Sequence, residues 1–252
     1  MILAIEDLSK KFLGVEALRP LSFAIDRGIT AIIGPNGAGK TTLFNLLSGI
    51  EEPSGGRIRH RGDDITALSV AQRARRGIQR TFQNLQIFFR MSAVENVMVG
   101  ASSRVRLGLI SSLLSAPTVR RETKEAHGRA AELMREVGLA DFIGRSADSM
   151  PYGALKRLEL ARALAADPEI LMLDEPAAGL NPRETAQIDE VIRHISARDI
   201  TVLLVEHDMK LVMAVSQRVI VLDHGKCIAD GTPREVQSNP EVVRAYLGAE
   251  AV

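Results

Sequence analysis

Residues 29–42 read ITAIIGPNGAGKTT, and LFNLLSGI follows over 43–50. An apolar run that could be a strand therefore passes through a glycine-rich loop into a run with helical character. Gly34, Gly39, Lys40 and Thr41 satisfy GxxxxGK(S/T), the Walker A phosphate-binding loop, in the strand-loop-helix setting that gives the pattern its meaning. The glycines at 34, 37 and 39 let the backbone approach a ligand with no Cβ in the way. Amides at a helix start carry partial positive charge and have no intrahelical acceptor, so they suit the β and γ phosphates of a nucleotide. Lys40 adds a mobile full charge, and Thr41 offers a hydroxyl to Mg²⁺.

The 252 residues are 46% hydrophobic and 25% charged, ordinary values for a globular chain of one or two domains. Lys plus Arg number 32 and Asp plus Glu 31, a net charge of +1 that provides no electrostatic footprint for nucleic acid. A single cysteine, Cys227, excludes an internal disulfide framework and a Cys-rich metal site, and it reads as a small buried hydrophobe in a hairpin strand. Met1 leads into ILAIEDLSKKF, which has neither the basic start nor the apolar core of a signal peptide. The longest apolar candidate, Leu107 to Leu114, is too short to cross a bilayer, so a soluble chain is expected.

Along the chain, Ile2 to Asp7 alternates as an edge or half-exposed strand would, and Leu21 to Ile25 reads as a second strand. Phe12 lies between them and from spacing is a core aromatic. Pro53-Ser54-Gly55-Gly56 closes the helix after the phosphate loop, and Arg57 to Ile65 reads as another short strand, completing a small antiparallel sheet beside the nucleotide loop. From Gln72 to about Met150 the spacing is helical, clearest in the stripe Ala130, Leu133, Met134 and Val137 ended by Gly138. Arg73, Arg75, Arg76 and Arg80 cluster near its start and read as a solvated face. Ala154 to Ala166 is a helix stopped by Asp167-Pro168. Ile170 to Leu173 and Thr201 to Val205 are apolar throughout, as in parallel strands covered on both faces, with a helix over Pro182 to Ala197 between them. Val219 to Leu222 and Lys226 to Asp230 form a closing hairpin. Thr232-Pro233-Arg234-Glu235 is a capping box, and Asn239-Pro240 starts a last helix.

The strand ILMLDE, Ile170 to Glu175, ends in two carboxylates whose burial needs a compensating ligand or cation. Asp174 stands where a Walker B aspartate holds Mg²⁺, and Glu175 could accept a proton from an attacking water. His207 ends the next apolar strand, in LLVEHD. Parallel strands present their C-terminal ends to the ligand, which places His207 and Asp174 on the nucleotide side. Gln83, in RTFQN, reads by itself as a polar loop residue, and Ile87, Phe88 and Phe89 as either a local core cluster or an exposed interface.

In order, GPNGAGKTT, TFQN, MPYGALKRLELARAL, ILMLDEPAAGLNP and LLVEHD resemble the ATP-binding cassette ATPases of membrane transporters along nearly the whole chain. The resemblance implies an α/β fold: a P-loop NTPase cassette with a mostly parallel core sheet, an N-terminal antiparallel β subdomain and an inserted helical subdomain. The core would comprise 1–84 and 151–231, the helical insert 85–150, and a C-terminal helical tail 232–252. It implies an ATPase, with ATP and Mg²⁺ bound. The nucleotide would meet Phe12, stacked on adenine, and Gly34, Pro35, Asn36, Gly37, Ala38, Gly39, Lys40, Thr41 and Thr42. Tyr152, Gly153 and Asn181 of a second cassette, paired head to tail, would close over it. Glu175, His207 and Gln83 take the catalytic roles, and Thr41, Gln83 and Asp174 the metal. At 150–154 this chain has MPYGA where the common signature is LSGGQ, so Pro151 brings neither hydroxyl nor N–H while Gly153 remains at a helix start. That variant, with EHDMKLVM, GTP and NPEVVRAYLG, is similar to the branched-chain amino-acid importer ATPases. The resemblance implies docking on integral membrane permease subunits at the cytoplasmic face of the inner membrane, with an extracytoplasmic solute-binding protein acting indirectly. A related urea or amide importer ATPase, or a soluble cassette ATPase not coupled to transport, is the alternative.

Overall fold

Burial on every position is what makes ITAII, ILMLD and TVLLV into neighbouring strands. The computed structural model describes residues 1–101 and 117–249. In it Ile29–Ile33 (β3), Ile170–Asp174 (β7) and Thr201–Val205 (β8) are buried at all five positions each, as expected of parallel strands covered on both faces. They lie in a six-stranded sheet with Ile78–Arg80 (β6), Arg218–Asp223 (β9) and Lys226–Gly231 (β10), in the order β10-β9-β3-β8-β7-β6. Every pairing is parallel except β9 with β10, the expected hairpin.

The expected antiparallel sheet is present too. Leu3–Phe12 (β1), Val15–Ile25 (β2), Gly55–His60 (β4) and Asp63–Asp64 (β5) pair in the order β2-β1-β4-β5. β1 is therefore an inner strand, not an edge: its alternation reports one solvated face, and periodicity does not reveal how many neighbours a strand has. Both sheets belong to one compact unit, Met1–Arg80, Glu169–Glu175 and Ile192–Val252. Its core joins Leu8, Leu18 and Ile58 of the small sheet to Leu43, Phe44, Leu46 and Leu47 of Lys40–Ser48 (α1) and to Ile32, Met172, Leu203 and Ile220 of the large one. Here too lie Val70–Arg75 (α2), whose Ser69–Gln72 capping box ends a turn, and Met209–Val215 (α7). Pro233–Gln237 (α8) carries the expected Thr232–Glu235 capping box, and Pro240–Ala249 (α9) follows.

The second unit, Thr81–Pro168 and Pro176–Val191, is helical. Ala93–Ala101 (α3), Pro117–Glu136 (α4) and Tyr152–Ala165 (α5) pack against one another, and Pro182–Ala197 (α6) begins within it. Ala130, Met134 and Val137 of the expected stripe are buried, and Leu133 is half-buried.

Three expectations need correction. β6 lies within the stretch assigned to helices, because three residues are too few to show a period. The arginine cluster is a solvated face only at Arg75 and Arg76, which are exposed: Arg73 is 1% exposed, and the Arg80 side chain 6%. Cys227 is exposed on β10, an edge strand, and is not a buried hydrophobe. The apolar candidate Leu107 to Leu114 lies outside the described residues. No helix among the described residues is long and apolar enough to cross a membrane.

Candidate functional site

Register assembles the site in the first unit. Ile32 of β3 stands beside Val205 of β8, and Val205 beside Asp174 of β7. Three pieces far apart in sequence, the loop after Ile33, the turn after Val205 and the carboxylates at 174 and 175, therefore leave the same edge of the sheet. Such a C-terminal strand edge is where α/β sheets bind ligands.

The loop is shaped by contact as well as by glycine. A Cβ on Gly34, at φ +149°, would lie 2.0 Å from the carbonyl oxygen of Leu222 on β9, so no side chain fits there. Gly39 is the N-cap of α1 in the left-handed region, φ +103°, and no side chain caps the helix, which leaves its first amides available to an anion. Lys40 is buried, and its Nζ donates to the carbonyls of Gly34 at 2.6 Å and Pro35 at 2.9 Å. Burial pushes its ammonium below the ordinary value against the opposing pull of Glu175 and Asp174.

Asp174 ends β7 buried, and its Oδ2 accepts from Arg80 Nη2 at 2.7 Å. Glu175 follows with φ +49°, a left-handed conformation costly for a residue with a Cβ. Its N–H donates to Val205 at 2.9 Å, which holds the turn, and its Oε1 lies 2.9 Å from His207 Nε2. Behind His207, the buried Glu206 carboxylate accepts the His207 N–H at 3.0 Å, and Asp208 caps α7 by accepting from Lys210 and Leu211. The imidazole is thus carried on a turn fixed at both ends.

These groups open on a cleft of about 530 Å³ lined by residues 36–42, Glu175 and His207. Val15, Glu16, Ala17, Arg19 and His224 line it as well, and sequence reasoning missed them. They arrive through long-range backbone bonds: Gly225 N–H donates to Ala38 at 3.0 Å, and Arg19 N–H to Gly225 at 2.9 Å, which stitch the β9–β10 turn and β2 to the loop. Phe12 is not the core aromatic that its spacing suggests: it is 39% exposed, with the Lys10 ammonium 4.6 Å from its ring centroid, and it does not line the cleft but pairs across the strands with Val15, which does.

Gln83, Tyr152, Gly153 and Asn181 belong to the second unit. Gly153 is buried at the start of α5, whose N-cap, Pro151, supplies no side-chain cap, and Tyr152 is exposed with its ring against Gly179. Asn181 caps α6, accepting from Arg183 at 3.0 Å and Glu184 at 3.1 Å. One face of α5 grips the main chain around Gln83: Lys156 Nζ donates to the Gln83 carbonyl at 3.2 Å, Arg162 donates to that of Gln86, and Glu159 accepts from the N–H groups of Phe82 and Gln86. Burial raises the Glu159 carboxyl above its ordinary value, although Arg162, Lys156 and those N–H groups oppose the shift.

The donor set fits a nucleotide: inward amides, a buried ammonium, and a carboxylate with a histidine at the open end. For a divalent ion the chain offers the Thr41 hydroxyl and Asp174, and no cluster of three or more His, Cys, Asp or Glu exists among the described residues. Hydroxyl and carboxylate oxygens are hard donors of the kind that suit Mg²⁺.

Comparison with known proteins agrees with this chemistry. The model of the family described as ABC transporter matches residues 18–178, and one described as branched-chain amino acid ATP-binding cassette transporter matches 226–252. The chain is 46% identical over 249 residues, 98% of each chain, to the high-affinity branched-chain amino acid transport ATP-binding protein LivG of Salmonella typhimurium. It is 44% identical over the same length and share to the corresponding protein BraF of Pseudomonas aeruginosa. Among solved structures, the ADP conformation of an ATP-binding cassette of an ABC transporter superposes with TM-score 0.85 at 30% identity, over 98% of both chains. With the loop, the carboxylate pair and the histidine on one sheet edge, this chain belongs to the ABC transporter family, as one of its ATP-hydrolysing cassettes.

Proposed function

We propose that the chain is the energy-coupling ATPase of an importer for branched-chain or similar amino acids, peripheral at the cytoplasmic face of the inner membrane. The observation that carries the ATPase half is the shared register of Ile32, Val205 and Asp174, which sets the Glu175–His207 pair at the mouth of the phosphate-loop cleft. Lys40 and the loop amides bind the β and γ phosphates, and Phe12, beside Val15, stacks on the adenine. Glu175 takes the proton of the attacking water, and His207 holds that carboxylate in place and reaches toward the γ phosphate. Thr41, Asp174 and Gln83 would hold magnesium, which would supply neutralisation of developing phosphate charge when bound. Tyr152, Gly153 and Asn181 serve the nucleotide of a second cassette paired head to tail.

Docking on the permease falls to the segment around Gln83. Phe82, Phe88, Phe89 and Met91 are exposed within ten residues, with Phe88 and Phe89 each 48% accessible. An apolar group of this kind marks an interface. Asn96, fully buried, accepts from the Phe88 N–H at 2.9 Å and donates to its carbonyl at 3.0 Å, so this exposed segment is held in shape rather than left loose.

Reconstitution with its permease, partner cassette and binding protein in proteoliposomes tests the reading. Leucine is expected to stimulate hydrolysis and to accumulate with ATP. Stimulation by urea or an amide alone would replace the substrate class, hydrolysis indifferent to the permease would remove transport, and no nucleotide bound at millimolar concentration would overturn the whole reading.

A further inference from the structure

The buried guanidinium of Arg80 has no place in the reaction described so far, yet it touches the metal-side carboxylate. Arg80 ends β6, the edge strand beside β7. Nη2 donates to Asp174 Oδ2 at 2.7 Å, while Nη1 donates to Asn45 Oδ1 at 2.7 Å and to Ser48 Oγ at 3.1 Å. Its Cζ lies over the Phe44 ring, 5.5 Å from the centroid, and the two charged side chains are 6% and 9% exposed. Asn45, Ser48 and Phe44 all stand on α1, the helix that opens with Lys40 and Thr41. A planar fork with fixed donor directions thus spans from the helix of the phosphate loop to the carboxylate at the end of β7.

We propose that Arg80 is a positioning residue for magnesium: it locks the Asp174 carboxylate in one orientation relative to α1, so that the hydroxyl of Thr41 and the carboxylate address the same ion. The proposal rests on the reading of Asp174 as the magnesium-side carboxylate. A pair that only stabilised the sheet would need no link to α1. Here the same guanidinium spends one terminal nitrogen on each side, with its Cζ over the ring of Phe44. Partners of this kind, one step removed from a metal, change metal affinity or activity about 10- to 100-fold when lost.

The test measures equilibrium binding of trinitrophenyl-ATP to the full chain in EDTA and in Mg²⁺, together with the Mg²⁺ concentration for half-maximal hydrolysis. With Arg80→Met, affinity in EDTA is expected to stay within about twofold of the parent, while the gain on adding Mg²⁺ shrinks and the Mg²⁺ midpoint rises, each about tenfold. Arg80→Lys, which keeps the charge and loses the fork, should recover part of both. In an Asp174→Asn background, Arg80→Met should add nothing to either quantity, because the residue acts through that carboxylate. Equal losses in EDTA and Mg²⁺ would mean that Arg80 serves the phosphates directly, and a lowered melting temperature with unchanged Mg²⁺ terms would leave it a stabilising ion pair; either overturns the proposal. Should Arg80→Met not fold, Arg80→Gln is measured the same way, with Arg80→Lys beside it. Asp174→Asn alone separates the two claims: if it leaves the Mg²⁺ terms unchanged, the reading of Asp174 fails first.

Discussion

Replacing Arg73 by methionine keeps the length and removes every donor. The guanidinium is 1% exposed and faces carbonyls rather than carboxylates: Nη1 donates to Leu46 at 2.5 Å and Leu47 at 2.9 Å, Nη2 to Thr66 at 2.8 Å and Nε to Leu68 at 3.0 Å. Leu46 and Leu47 belong to the last turn of α1, where the Gly49 N–H also donates to the Leu46 carbonyl at 3.2 Å and the helix dipole favours a cation. Hydrogen bonds from a charged donor contribute about 1.5–3 kcal/mol each, but the guanidinium gives up several kcal/mol of hydration in that site, so the four do not sum. Methionine leaves no opposite charge behind but leaves buried carbonyls short of a donor, at about 1–3 kcal/mol each and partly offset by relief of the buried charge; a net loss of about 2–5 kcal/mol, at about 2–4 °C per kcal/mol for a chain of this size, lowers the melting temperature by roughly 4–20 °C. Thermal melts by circular dichroism read the shift. Arg73→Lys, with fewer donors, should fall between. Because the loop lies at the opposite end of α1, ATP affinity of Arg73→Met measured well below its melting point should match the parent. A shift under about 3 °C would mean that water satisfies those carbonyls, and the account of Arg73 as the cap of α1 would fail.

Glu175→Gln should keep ATP affinity within about twofold and lower turnover by about 10²–10⁴, since proton acceptance from water is lost while Lys40 and the amides remain; undiminished steady-state hydrolysis would contradict the role. Lys40→Ala should weaken ATP binding roughly 10- to 150-fold, the loss of a charge-assisted bond at the phosphates, and unchanged affinity by calorimetry would refute it. Glu159 titrates in the opposite sense to most carboxylates. Its folded value is raised by burial, so the stability it contributes is fully present below its unfolded value, for which 4.5 is the ordinary figure, and is lost as pH rises through the folded one. The melting temperature of Glu159→Gln minus that of the parent should therefore grow as pH rises from that value toward neutrality, and a flat difference would show that the carboxyl is not desolvated.

The parallel core and the phosphate loop were legible because each carries a local signal. ITAII and TVLLV are buried throughout, and GPNGAGKTT needs only its spacing. Pairing is a different kind of information. β6 has three residues, Ile78–Arg80, and no period can be read in three. Its terminal arginine looks like its neighbours Arg75 and Arg76, which are exposed, until the sheet brings it beside Asp174. Composition counts charges but says nothing of their partners, so two buried guanidinium groups passed for surface. The same limit hid His224 and Arg19, which reach the cleft through bonds from Gly225 to Ala38 and from Arg19 to Gly225, contacts between segments roughly two hundred residues apart in the chain. Cys227 failed for another reason: whether a small residue in a hairpin is buried depends on what covers its face of the strand, which spacing does not show, and at Cys227 the strand is exposed.

Each charged group at the cleft has a partner inside the chain: the ammonium of Lys40 has the carbonyls of Gly34 and Pro35, Asp174 has Arg80, and Glu175 has His207. A bare ion buried there would cost several kcal/mol, so these partners let the site keep its shape on its own. The same partners compete with the ligand. For Lys40 to reach a phosphate it must leave two carbonyls at 2.6 and 2.9 Å, and for His207 to reach the γ phosphate it must share or release Glu175 at 2.9 Å. Binding is then an exchange of partners whose free energy is a difference between two sets of strong contacts, and contacts common to both sets cancel. On the proposed roles, a nucleotide held by such differences would bind more weakly than a count of its contacts suggests, and it would leave more readily once the γ phosphate, which those roles set against both Lys40 and His207, has been cut away. The internal partners that stabilise the cleft thereby also favour release of product, which a cassette that must turn over in step with a permease requires.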